Sequence, residues 1–293
     1  MRGRRFGLLT AATLCLLWAP GIATAASTPP REHGLLITPL RQFLSIKAGH
    51  ALDSSFTVAN LTDRPLTITL SVQQFSVTNY VYNYRFEAPT NNWLHLGLTT
   101  VSLAANQTAN IPYHFQVPVG TSPGGRYYTL FASANVASQG AKATIQAADL
   151  VYLTVAGKLV RTSHLQHSSI GWLAFGRSIP FNVQPVNTGN VYFFAYVSGR
   201  LHGLWIKPAP TPDTHLLMPG TVRTLSGSIA SPVLPGVYRA TYGYRTDAGQ
   251  SVMKTSYVLF IPPWFVAFLL AALLLAGKLL PRQRPTKKET TKP

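Results

Sequence analysis

Apolar and polar residues alternate one for one along much of this chain. In Leu66-Thr67-Ile68-Thr69-Leu70-Ser71-Val72, and again in Ile111-Pro112-Tyr113-His114-Phe115-Gln116-Val117, every second residue is apolar, so both segments read as half-buried β-strands. Pro112 places its strand at a start or a sheet edge. Phe56 with Val58, Tyr128 with Leu130, and Leu150 to Val155 predict further strands. After a polar stretch around Arg161 to Ser169 the alternation resumes at Ile179, Phe181 and Val183, then at Val191, Phe193, Ala195 and Val197. It closes with Tyr238 to Tyr244 and Met253 to Phe260. No segment between these carries a helical period, and short strands set off by Asn, Gly and Pro turns predict a β-sandwich.

The signals come twice in the same order. A strand ending at Asn60 turns through Leu61-Thr62-Asp63-Arg64, with Pro123-Gly124-Gly125-Arg126-Tyr127 further on; a strand ending at Asn187 turns through Thr188-Gly189-Asn190, with Leu234-Pro235-Gly236-Val237-Tyr238 further on. This predicts tandem Ig-like β-sandwiches: a first domain over 26–156, a linker over 157–169 and a second domain over 170–261.

The two ends follow a different pattern. Arg2, Arg4 and Arg5 precede an apolar stretch from Phe6 to Trp18 and a small-residue Ala23-Thr24-Ala25 site, which together read as a cleavable signal peptide over 1–25. At the other end, Trp264 to Leu280 is apolar except for Lys278, and predicts a single transmembrane helix over 262–280 with Trp264 and Lys278 at its interfaces. Arg282 and Arg284 open a basic tail over 281–293, which the positive-inside tendency puts in the cytoplasm. The expectation is therefore an all-β, single-pass protein of the cell membrane, its N-terminal part outside.

Charge and cysteine content refine this picture. The net charge is +17 over 293 residues, but three arginines fall in the leader, and six Lys/Arg with Glu289 fall in the anchor and tail. The part between keeps 16 basic residues against 7 acidic ones, a balance suited to anionic partners, although its positives are scattered. No basic-aromatic module points to nucleic acid. Cys15, the only cysteine, lies in the leader, so the exterior must be held by packing alone.

A search for chemistry finds little. The eight histidines, His33, His50, His95, His114, His164, His167, His202 and His215, show no HExxH or other tight ligand spacing, and His164 with His167 reads as solvated linker. There is no Gly-x-Ser-x-Gly elbow and no persuasive carboxylate pair, so no enzyme activity, cofactor or metal is expected. Tyr82, Tyr84, Trp93 and His95, in a polar stretch that also holds Tyr80, are the candidate ligand-binding residues, since exposed aromatics stack on sugar rings.

Residues 34 to 156, with Ile37-Thr38-Pro39, Ala48-Gly49, Phe56-Thr57-Val58-Ala59-Asn60, Thr99 to Leu103, Val117-Pro118 and Pro123-Gly124-Gly125-Arg126-Tyr127, resemble the N-terminal peptidoglycan-binding domain of the WxL-interacting proteins of Gram-positive bacteria. The layout of leader, two Ig-like domains, helix and basic tail is similar as well, although the second domain is shorter than that family's host-binding domain. The resemblance implies a non-enzymatic, membrane-anchored surface adaptor that binds peptidoglycan or an associated anionic wall polymer, with WxL-type surface proteins as partners. The first domain is also similar in its Ig-like pattern to pilus-type chaperones. That likeness implies the alternative, a membrane-tethered chaperone or assembly factor that acts on secreted surface proteins by β-strand pairing.

Overall fold

In a computed structural model that describes residues 34–138, 141–203 and 213–279, the alternating segments form two Ig-like β-sandwiches in tandem. The first is built from β1 (Leu35–Thr38), β2 (Arg41–Ile46), β3 (Ala51–Asn60), β4 (Leu66–Val77), β5 (Tyr84–Glu87), β6 (Leu94–Leu96), β7 (Thr100–Leu103), β8 (Thr108–Gln116), β9 (Gly124–Ser138) and β10 (Ala141–Val155). The second is built from β11 (Ser163–Ile170), β12 (Leu173–Ala174), β13 (Ser178–Asn187), β14 (Phe193–His202), β15 (Asp213–Leu217), β16 (Leu225–Ala230), β17 (Gly236–Thr246) and β18 (Ser251–Phe260). One helix, α1 (Pro263–Leu279), follows.

Each sandwich is two sheets face to face. In the first, the order β1-β3-β8-β6 opposes β2-β10-β9-β4-β5, with β7 also on β4; in the second, β11-β13-β16 opposes β12-β18-β17-β14-β15. The inward residues of the alternating segments make the cores. Phe56, Ile68, Ile111, Phe115, Tyr128, Leu130 and Leu153 fill one, and Phe181, Val183, Phe193, Tyr244 and Val258 fill the other. Burial of this apolar area is the main favourable term in a fold without disulfides.

The twofold order of signals has a counterpart in three dimensions. In each sandwich the chain begins on one sheet and crosses to the other, where a short strand runs parallel to the last strand: β2 beside β10, and β12 beside β18. Each sandwich also has a fully buried asparagine at the end of its second long ladder. Asn60 Nδ2 donates to the carbonyls of Arg64, Leu103 and Ala104, and Asn187 Nδ2 to those of Val191 and Leu217. The Oδ1 atoms accept from the backbone amides of Thr62 and Gly189, closing both turns.

Between 157 and 169, the stretch read as a linker, β11 already begins at Ser163. Its outward residues are polar because it is an outer strand, which hides it from a search for apolar alternation. Asn190 ties this segment to both sandwiches: its Oδ1 accepts from the Val160 amide, and its Nδ2 donates to the Pro123 and Lys158 carbonyls. Gly124, at φ 143°, lies so close to the Asn190 carbonyl that a Cβ there would clash.

The expected membrane span needs correcting. The seventeen residues of α1 rise about 25 Å, short of the about 30 Å of a bilayer core. Among the described residues no helix is long and apolar enough to cross a membrane. The single-pass placement, with an outer N-terminal part and a cytoplasmic C-terminus, loses its support with the span. Trp264 is exposed on the first turn of α1, and Lys278 lies in its last turn. Arg282, Arg284, the signal peptide and the basic tail lie outside the described residues.

Candidate functional site

The longest strand pair in the molecule leaves one side open. β10 pairs with β9 over its whole length, Ala141 to Val155, but with β2 only from Leu150 to Val155. Among the described residues nothing pairs with Ala141–Asp149 on that side. The Leu150 amide donates to the Leu40 carbonyl, so Leu150 faces the β2 side with both its backbone groups. The register to β9 is unbroken, and backbone direction alternates along a strand; Thr144, Gln146 and Ala148 therefore turn their N–H and C=O groups to the same open side. An edge of this kind is a template for another strand.

The side chains along this edge differ between its two faces. Ile145 and Ala147 face inward and pack, half-buried, against the first core, together with Val136 of β9. On the outer face Ala148 and Leu150 border a groove of about 550 Å³ with Leu40, Arg41, Tyr84 and Phe86. Leu40 is 64% exposed and Phe86 41%, so this part of the outer face presents apolar surface to solvent. The aromatic set continues from Tyr84 to Phe86 (ring centroids 6.1 Å apart) and from Phe86 to Phe131 (5.0 Å).

Toward the second sandwich the same face becomes a closed junction. Phe43 stacks on Tyr152 at 5.1 Å and meets Tyr192 at 5.4 Å and Phe194 at 5.8 Å. Phe75, Tyr82, Tyr152, Leu216 and Met218 are buried there together. A strap from the first sandwich completes it. The Tyr80 amide donates to Val222, the Thr224 amide donates back to Tyr80, and Asn79 Oδ1 accepts from the Val222 amide. Tyr80 and Tyr82 both hold left-handed backbone angles, φ 66° and 65°, which residues with a Cβ rarely adopt without support from their surroundings. The Tyr82 hydroxyl accepts from the Met218 amide and pairs with Thr221 Oγ1 at 3.3 Å, and the Arg223 guanidinium lies 4.3 Å from the ring centroid. Burial raises the Tyr82 phenol above its ordinary value, against the opposing pull of Thr221, Met218 and Arg223.

The four candidate ligand residues are thereby divided. Tyr82 is buried in the junction and Tyr84 stands at the groove. Trp93 is half-buried against the first core with the Arg126 guanidinium 5.7 Å from its ring, and His95 is exposed on β6 in the opposite sheet. The structure brings Tyr82 and Tyr84 to one face, packs Trp93 against the first core and leaves His95 exposed on the opposite sheet. Sequence reading missed Thr144, Gln146 and Ala148. Their only signal is the weak alternation Ala143-Thr144-Ile145-Gln146-Ala147, in which alanine stands for the apolar positions.

No protein-family model matches the chain, and no curated protein does. The chain is similar to several solved structures of fimbrial chaperones. The class 5 fimbriae chaperone CfaA matches at 10% identity and TM-score 0.42, over 77% of this chain and 99% of that one. The E. coli chaperone DraB matches at 11% and 0.41, over 77% and 98%. A structure of Salmonella enterica SafA pilin in complex with the SafB chaperone matches at 13% and 0.38, over 77% and 96%.

These findings correct the likeness to WxL-interacting proteins and the partners it implied, peptidoglycan or an anionic wall polymer and WxL-type surface proteins. The similar structures are of chaperones, one of them with its pilin, and no wall-binding family matches. The physical reason is visible in the residues that carried the likeness. The Asn60 turn is repeated at Asn187, and Pro123 to Gly125 make packing contacts to Asn190, so these signals are generic to sandwich construction rather than marks of a wall-binding surface.

Proposed function

We propose that this chain is a non-enzymatic assembly factor that receives an extended segment of a secreted, β-rich partner on the open edge of β10. The observation that carries this reading is the run of nine residues, Ala141–Asp149, paired on one side only among the described residues and in line with β2. The outward backbone groups of Thr144, Gln146 and Ala148 supply main-chain affinity, and the flanking side chains supply selectivity for alternate residues of the incoming strand. The groove at Leu40, Tyr84 and Phe86 lies beside that path and suits an apolar side chain. The junction between the sandwiches keeps the receiving sheet fixed to the second domain, which lowers the ordering cost of binding.

Photo-crosslinking from position 144 during secretion tests the proposal. The expected adduct is an extended segment of a secreted β-rich protein, and Gln146→Pro, which removes one outward amide, should abolish it. No polypeptide adduct, or an adduct that survives the proline undiminished, would overturn the reading.

A further inference from the structure

On the solvent face of the other sheet of the first sandwich, three adjacent strands bring three chemically related side chains side by side. Asp53 of β3 is the register partner of His114 of β8, and His114 is the register partner of His95 of β6. Cross-strand partners point to the same face, so the three form a row across the sheet. They line one shallow hollow of about 320 Å³, which Gly97 and Pro112 also border.

The hydrogen bonding within the row prepares it for a particular chemistry. His114 Nδ1 lies 2.6 Å from Asp53 Oδ1. This contact puts the imidazole proton on Nδ1 and leaves Nε2 with its lone pair, the arrangement by which a carboxylate orients a metal-binding histidine and strengthens it as a donor. His95 faces no such carboxylate among its register partners. The His114 side chain is 41% exposed and that of Asp53 88%, so ions reach both from solvent.

We propose that His95 and His114 form a two-imidazole seat for one divalent transition ion of the kind that favours imidazole, Cu2+, Ni2+ or Zn2+, with Asp53 as the positioning residue behind His114. Among the described residues no three His, Cys, Asp or Glu side chains are placed to hold an ion, so this seat supplies two protein ligands and water completes the shell. The inference is independent of the β10 edge, which belongs to the opposite sheet.

Titration of the full chain with Cu2+, and separately with Ni2+, in a non-chelating buffer tests the seat. One ion per chain should bind, reversibly with EDTA, and should raise the unfolding temperature by mass action. His95→Asn and His114→Asn should each weaken binding at least about tenfold, and Asp53→Asn about 10–100-fold, the usual range for loss of an orienting carboxylate. In the Cu2+ spectrum, nitrogen coupling should fall from two nitrogens to one in either histidine variant. A chain with both His164→Asn and His167→Asn should bind as the wild type does. The inference is overturned by binding that persists in a double His95→Asn/His114→Asn variant, by binding that depends instead on His164 and His167, or by no binding at millimolar metal. Undiminished affinity in Asp53→Asn would overturn the role given to that carboxylate.

Discussion

Gln42 of β2 donates through Nε2 to Asp149 Oδ2 of β10 at 2.5 Å, at the point where the two strands stop pairing. Gln42 is held in turn by Tyr113, whose hydroxyl donates to Gln42 Oε1 at 2.7 Å. Asp149 is fully buried with no cation beside it, and its Oδ1 has no hydrogen-bond partner. Burial therefore raises its carboxyl from 3.8 to about 6, opposed only by the Gln42 hydrogen bond.

This elevation makes a prediction about pH. The folded state holds the Asp149 proton more tightly than the unfolded state, so the stability it supplies is complete below about pH 4 and is lost as pH rises through about 6. The loss is on the order of 2–3 kcal/mol. The Asp53 bond raises the His114 pKa and burial lowers that of His215, so the difference between wild type and Asp149→Asn isolates the carboxylate. Urea midpoints from pH 4 to 7.5 should show the wild type weakening relative to the variant; parallel curves would contradict the assignment.

The two buried asparagines predict matched losses. Asn60→Ala and Asn187→Ala each leave two or more buried or partly buried carbonyls and a turn amide without their side-chain partner, costing about 2–4 kcal/mol. Chemical denaturation measures both, and a cost below about 1 kcal/mol at either site would show that the turn closes without its side chain.

At the junction, Tyr82→Phe removes the acceptor for the Met218 amide while keeping the ring under Arg223. The expected cost is about 1–3 kcal/mol, with faster amide hydrogen exchange at Met218 and Val222 than in the wild type. Unchanged exchange at both amides would remove the hydroxyl from the account of the strap.

The fold was legible where alternation is carried by large side chains, and illegible where it is not. Leu66 to Val72 and Ile111 to Val117 announce themselves because each inward position buries a large apolar group. β10 starts nine residues before Leu150, in a stretch whose inward positions are mostly alanine, so its most exposed part was invisible. Tyr82 and Trp93 read as surface aromatics, since sequence does not say that a second domain or an underlying core will cover them. The pairing of His95 with His114 depends on register between strands separated by a loop, which spacing along the chain does not encode.

Proline scanning separates the two sides of β10. Ile145→Pro removes an amide directed at β9 and should cost at least about 3 kcal/mol, whereas Gln146→Pro removes one directed at the open side and should change stability by less than about 1 kcal/mol. Thermal unfolding of the two variants makes the comparison, and equal losses would mean that the outward groups have been assigned to the wrong side.

The short parallel strand β2 sets a stop as well as a pairing. A strand laid along β10 lies in line with β2 and cannot advance past Leu150, where the Leu40 carbonyl already holds the amide. At about 3.3 Å per residue, the remaining nine positions give a slot about 30 Å long with one closed end. On the proposed function, an incoming strand would be registered by one end against Leu40 and Arg41 and would run from there toward Ala141.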